Sequence, residues 1–433
     1  MMKIKHLHGI LLFFSTIFLI LILFSSCREE KGISHYTENL PQSNVNNIQI
    51  ELEFEQPVDH EQPDGPKFTQ QVVLNHVGYD RPVVVYIEGY QMYSKKRGEL
   101  AKLLDANQIT IEHRYFDDSK PDSLNWEHLN IWQAATDHHK VIQAFKDLYQ
   151  GNWVSTGISK GGQATMYHKR FYPGDVKASV PYVAPLNFSD EDKRVYAFLD
   201  SVGTEACRQK IKTLQEQLFE HKDQLLPKFR KFAQKKDYQF SMGIERAYDL
   251  NVLEYSFAFW QWGGFTCKDI PDNKATPQAL FDHWTKVTSG SFFEQDEIEN
   301  QRPFFYQAMT QIGMYGYEVE PFEKYLPDTS NITFEFTLPE DVDASFDRSA
   351  MRDVNQWLKK NGNNMLYIYG ENDPWSATSF KPSAQTNAVK MVNPGGSHRT
   401  RIESFPTEMK DSIYTVLEKW LDVKINGEQN TNS

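Results

Sequence analysis

Hydrophobic and polar residues alternate with period two over residues 48–54 and again over 68–76, the pattern of antiparallel strands with one buried face. The apolar runs that follow are of another kind. Residues 82–87 form a continuous apolar run, and 108–112, 153–156, 178–185, 365–370 and 390–392 are further short strand-like segments. Runs of this kind predict strands buried on both faces, as in a parallel sheet. Apolar residues at helical spacing predict helices over 131–149, 163–170 and 407–422. Strand signals thin out between 188 and 339, where charged helical patterns dominate. The stretch 210–236 predicts a helix broken or kinked at Pro227. Aromatics gather there at Tyr255, Phe257, Phe259, Trp260 and Trp262, and again at Phe304, Phe305, Tyr306, Tyr315 and Tyr317. The chain therefore predicts an α/β domain in two pieces, 48–187 and 340–425. A helical cap over 188–339 interrupts it, and a cleft is expected between cap and sheet.

The ends read differently. Lys3 and Lys5 precede an unbroken apolar and hydroxyl run over 10–24, then Ser25-Ser26-Cys27. That run is short for a bilayer span. A small residue before Cys resembles a bacterial lipoprotein signal, although Phe24 stands where Leu is more usual. Residues 1–27 are read as this signal segment, with Cys27 lipidated; an uncleaved anchor helix is the rival. Residues 28–47 form a polar tether and 426–433 a frayed tail. On either reading the remainder lies outside the cytoplasm, in the periplasm or at the cell surface, held to the membrane. Cys27 apart, the chain has only Cys207 and Cys267, and in a compartment that permits disulfides these are expected to pair. The alternative is two free buried thiols. A net charge of -12 over 433 residues argues against a nucleic-acid partner.

The chemistry centres on Gly157-Ile158-Ser159-Lys160-Gly161, a G-x-S-x-G string between a predicted strand and a predicted helix. This spacing describes a sharp turn that exposes a nucleophilic serine. Two further loops follow predicted parallel strands. One carries Asp373 and the other His398, and open α/β sheets place their sites at these strand ends. The order Ser, Asp, His is that of α/β-hydrolases. A serine hydroxyl is a poor nucleophile until a base removes its proton. His398 is the candidate base, and Asp373 would fix its tautomer. The backbone N–H of Lys160 is the first expected oxyanion donor, and the N–H of Tyr90 or Gly89 the second. Asp117, Asp118 and Asp175 are rivals for the acid. The chemistry calls for no metal or cofactor.

Five strings carry a resemblance: Gln56-Pro57-Val58-Asp59-His60, Ile87-Glu88-Gly89-Tyr90, Glu112-His113-Arg114-Tyr115-Phe116, Thr156 to Gly162, and Asp373-Pro374-Trp375. Together they resemble the secreted tripeptidyl aminopeptidases among the serine peptidases. More distantly they resemble the lysosomal prolyl carboxypeptidase and dipeptidyl-peptidase group. The resemblance implies an α/β-hydrolase fold with a helical cap. It implies release of short peptides from the N-termini of oligopeptides, often with proline near the cut. Such an enzyme needs an anchor for the free amine, usually a carboxylate. Glu88 is a candidate, unless it is committed to a salt bridge with Arg114. Glu318 is a second candidate, and Trp375 is expected to wall a subsite or fill the core. An esterase or lipase with the same triad, and a non-catalytic peptide-binding lipoprotein, are the alternatives.

Overall fold

Nine strands of the described residues form one sheet: β1 (Met2–His8), β2 (Ile48–Pro57), β3 (Lys67–His76), β4 (Val83–Ile87), β5 (Asn107–Ile111), β6 (Trp153–Ile158), β7 (Ala178–Tyr182), β8 (Leu366–Gly370) and β9 (Val389–Asn393). The structure, a computed structural model, describes residues 2–8 and 47–425 apart from 327, 330, 331, 341 and 343. The strand order is β1-β2-β3-β5-β4-β6-β7-β8-β9. Counted from β2, the strands run 1-2-4-3-5-6-7-8, and only β3 opposes the rest. This is the α/β-hydrolase arrangement.

The unbroken apolar runs lie in the sheet centre because helices cover both faces there. Val83 and Val85 of β4 face Ile142, Phe145 and Met166, from helices Ile131–Lys146 and Lys160–Phe171. Val84, Val154 and Val180 face Leu100, Ile413 and Leu417, from helices Glu99–Leu103 and Thr407–Leu421. The alternating strands β2 and β3 lie toward one edge of the sheet.

Residues 2–8, left out of the fold in the sequence reading, run antiparallel along β2. A chain from which the signal segment 1–27 is removed lacks this strand, and β2 is then the open edge of the sheet. Cys27, the tether over 28–47 and the tail over 426–433 lie outside the described residues.

Between β7 and β8 the described chain forms helices and irregular segments. Helices Glu205–Glu220 and Lys222–Lys236 break at His221, not at Pro227. Pro227 comes early in the second helix, and that helix continues through it. A disulfide joins Cys207 to Cys267, with the Cα atoms 5.3 Å apart. Helix Ile244–Trp262 runs through the middle of this region and is buried on most sides, with Asp249, Asn251 and Glu254 among its buried residues. It stops at Gly263, whose φ of 58° belongs to the left-handed conformation common after a helix end.

Candidate active site

Ser159 stands between the last residue of β6 and the first residue of helix Lys160–Phe171, with φ 57° and ψ -121°. A non-glycine residue persists in such a conformation only when its surroundings fix it. Two glycines make that possible by close backbone approach. A Cβ on Gly157 would lie 2.2 Å from the Gly161 carbonyl oxygen. A Cβ on Gly161 would lie 2.5 Å from the carbonyl oxygen of Ile87, bringing the end of β4 against the elbow. Lys160 opens its helix, so its N–H has no carbonyl to meet within the helix.

Asp373 is fully buried and caps the short turn Pro374–Thr378 through Oδ1, which accepts from the Trp375 N–H at 3.1 Å. Its other oxygen, Oδ2, lies 2.7 Å from Nδ1 of His398. The His398 backbone N–H donates to the Gln261 carbonyl at 2.9 Å. The end of helix Ile244–Trp262 therefore holds the histidine loop from outside the sheet. With Nδ1 engaged, the free ring nitrogen of His398 is Nε2. Ser159 and His398 line one cleft of about 760 Å³. Asp175, a rival acid in sequence, is tied instead to His139 and His168.

The loop after β4 closes the cleft beside the elbow. A Cβ on Gly89 would sit 2.4 Å from the Gly161 nitrogen, so this position admits only glycine without a shift of backbone. Tyr90 follows, and its ring lines the cleft. Burial and the neighbouring Tyr93 push the Tyr90 phenol up, while the Ser159 hydroxyl opposes the shift. Lys160 turns its side chain away from the cleft; its Nζ donates to the Gly89 carbonyl and lies 5.1 Å from the Phe116 ring centre.

Glu88 lines the cleft, and burial together with the charge of Glu112 pushes its carboxyl up to about 8. The expected salt bridge to Arg114 does not form. Arg114 pairs with Asp137, Nε to Oδ2 at 2.6 Å, and donates to the carbonyls of Pro57, Val58 and His128. Two of the strings that carried the resemblance are thus bound together through one buried guanidinium. Glu318 is exposed and lines a separate pocket with Tyr196 and Lys212, because the chain turns outward after Tyr317. Trp375 both packs and lines: its ring meets Phe257 and Tyr315 edge-on, each at 5.3 Å, and one face borders the cleft.

The sequence reading missed Glu254, Glu297 and Gln301, which line the cleft from helices Ile244–Trp262 and Gln295–Gln307. Glu254 had a legible signal, as a lone carboxylate in the apolar stretch from Val252 to Phe259. No cluster of three metal-ligating side chains occurs among the described residues.

A strained serine beside a buried carboxylate–imidazole pair, at the C-terminal edge of this sheet, places the molecule among the serine hydrolases of α/β-hydrolase fold. The chain belongs to the S37 family of serine peptidases: the family described as PS-10 peptidase S37 matches residues 33–433. It is 32% identical over 380 residues to a prolyl tri/tetrapeptidyl aminopeptidase of Streptomyces mobaraensis, covering 86% of this chain and 80% of that one. A probable serine protease EDA2 of Arabidopsis thaliana is 26% identical over 193 residues, 37% of this chain and 39% of that one. Among solved structures, a proline iminopeptidase of Mycobacterium smegmatis aligns with a TM-score of 0.44 at 15% identity, over 85% of this chain and 98% of that one.

Proposed function

We propose that this peptidase releases tri- or tetrapeptides from the free N-termini of oligopeptides, favouring proline at the cut, with Ser159, His398 and Asp373 as its catalytic triad. The observation that carries the reading is the 2.7 Å contact of Asp373 with His398 over the cleft that Ser159 also lines. Ser159 Oγ attacks the scissile carbonyl as His398 Nε2 takes its proton. The carbonyl π electrons move onto oxygen, and the N–H groups of Lys160 and Tyr90 receive the oxyanion. The C–N bond then breaks, His398 protonates the leaving amine, and water hydrolyses the ester by the same steps. Asp373 stabilises the imidazolium throughout.

The relative from Streptomyces mobaraensis supports the product length and the proline preference by its name. The ring-lined cleft supports the proline preference by its chemistry, since Tyr90, Trp375, Tyr315 and Phe304 suit a compact apolar imino-acid ring. The N-terminal pattern supports a lipid on Cys27 and a place at the membrane outside the cytoplasm, and the Cys207–Cys267 bond is compatible with that setting.

Product masses from a library of free and N-acetylated peptides test the activity. Tri- and tetrapeptides released only from free N-termini are expected; equal cleavage of both sets would overturn the aminopeptidase reading. A fluorophosphonate should label Ser159 and fail to label Ser159→Ala. Cys27→Ser should move the protein from the membrane to the soluble fraction.

A further inference from the structure

Three carboxylates reach the cleft: Glu88, Glu254 and Glu297. They differ in what surrounds them. Glu88 stands beside the oxyanion loop and shares its surroundings with Glu112, a like charge. Glu297 is half-buried, with Glu294 as the neighbour that opposes its ionisation after burial itself. Glu254 is only 5% exposed and lies deep in the helical wall.

The contacts of Glu254 are lopsided. Both tyrosine hydroxyls that reach it donate to one oxygen: Tyr315 to Oε2 at 2.9 Å and Tyr317 to Oε2 at 2.6 Å. The other oxygen, Oε1, has no hydrogen-bond partner among the described residues and is not sealed from solvent. No lysine, arginine or histidine of the described chain forms an ion pair with the carboxylate. A buried carboxylate with two neutral donors and no counter-charge is an incomplete arrangement, because ionisation in a poorly solvated site calls for a cation. Its position is nevertheless fixed. Tyr315 stacks on Phe257 at 3.7 Å and meets Trp375 edge-on at 5.3 Å. Trp375 is two residues from Asp373, so a rigid aromatic path ties Glu254 to the triad.

We propose that Glu254 binds the α-ammonium group of the substrate, with Tyr315 and Tyr317 holding the carboxylate, and so sets where a peptide's N-terminus stops relative to Ser159. This rests on the aminopeptidase reading and names the residue that enforces it. The ammonium donates to Oε1 and supplies the missing positive charge. A peptide whose amine is acetylated brings neither, and leaves a buried anion facing an amide. The fixed aromatic path makes the product length a property of the wall and not of the sequence being cut.

The test is the ratio of kcat/KM for a tripeptide p-nitroanilide with a free amine to that for its N-acetyl form. Rates are normalised to sites titrated with a fluorophosphonate, so that unfolded enzyme is not counted. Glu254→Gln keeps the shape and the two tyrosine contacts and removes the charge. It should raise KM for the free-amine substrate by roughly 30-fold or more, the scale for removing one partner of a buried charge pair. The free-to-acetyl ratio should fall toward one. Tyr317→Phe, which keeps the carboxyl and removes one donor, should raise KM several-fold for the free-amine substrate alone. A wild-type ratio retained in Glu254→Gln overturns the proposal and leaves the aminopeptidase reading standing. A wild-type enzyme that does not discriminate overturns both.

Discussion

The side-chain nitrogen of Lys160 donates to the carbonyl oxygen of Gly89. The two residues belong to the two halves of the proposed oxyanion site, one following the nucleophile and one preceding Tyr90. In a trans peptide the C=O and the next N–H point in opposite directions, and no cis peptide occurs among the described residues. Pinning the Gly89 carbonyl toward the buried Lys160 side chain therefore turns the Tyr90 N–H the other way. That N–H has no acceptor within the described chain. Lys160 is 2% exposed, and burial holds its amine well below the usual lysine range. A buried amine of this kind is a strong constraint on one peptide plane. Lys160→Met fills similar space without a donor. It should lower kcat by roughly 100- to 1000-fold with KM nearly unchanged, the scale of one lost oxyanion donor. Steady-state kinetics on a tripeptide p-nitroanilide check this; a fall in stability with kcat intact would leave Lys160 a purely structural residue.

Asp373 touches both the backbone of its own turn and the His398 ring, through different oxygens. Asp373→Asn keeps its one amide oxygen on the Trp375 N–H and then presents an amide N–H, a donor, to Nδ1. The imidazole then loses its enforced tautomer and the stabilisation of its cation. The expected loss in kcat is roughly 1000- to 10,000-fold near neutral pH. The rate should recover in part as pH rises and hydroxide replaces the general base. A pH–rate profile on the folded variant checks it, and near-wild-type turnover would remove Asp373 from the triad.

What the sequence made legible was the part governed by local rules. Glycines that permit close approach, at Gly157, Gly161 and Gly89, mark the elbow and the loop beside it before any fold is known. Runs such as Val83 to Ile87 mark strands buried on both sides. Long-range pairing was not legible in the same way. Arg114 had two possible acid partners, and Asp137 won because the helix Ile131–Lys146 brings it within 2.6 Å of the guanidinium. Glu318 sat among aromatics in sequence, yet the chain passes from the buried Tyr317 to the exposed Glu318 in a single step, and nothing local fixes which side faces the cleft. Glu254 stood out locally as a lone carboxylate, but its partners did not. Its tyrosine partners lie 61 and 63 residues away, in a segment with no regular period.

The Cys207–Cys267 bond closes a loop of 60 residues within the helical region. In the chain-entropy picture such a loop contributes about 4 kcal/mol by restricting the unfolded chain. Replacing both cysteines by alanine should lower the unfolding midpoint in urea accordingly. Helix Ile244–Trp262 lies inside that loop and also supplies the carbonyl that holds His398. Activity should therefore fall at a lower denaturant concentration than the fluorescence signal from the sheet domain. Coincident loss of the two would mean that helices and sheet unfold as one unit.

Glu254 carries a cost that the free enzyme bears and a bound ammonium removes. Burial raises its carboxyl from 4.5 to about 7, and the hydrogen bonds from Tyr317 and Tyr315 only partly oppose the shift. Because the folded state holds this proton more tightly than the unfolded chain, the unfolded chain loses it first as pH rises. Stability of the free enzyme should then fall between about pH 4.5 and 7 and level off above, by on the order of 3 kcal/mol for this group. Glu254→Gln has no proton to lose. It should match the wild type near pH 4.5 and exceed it at pH 8, as urea unfolding at the two values will measure. An unchanged difference between variant and wild type across that range would mean that the carboxyl ionises as freely in the fold as in water. The same variant is expected to bind free-amine peptides worse, so stability and substrate affinity should move in opposite directions at one side chain. That opposition distinguishes an anchor from an ordinary buried acid, whose replacement by an isosteric amide would alter stability and leave the choice between free and acetylated peptides untouched.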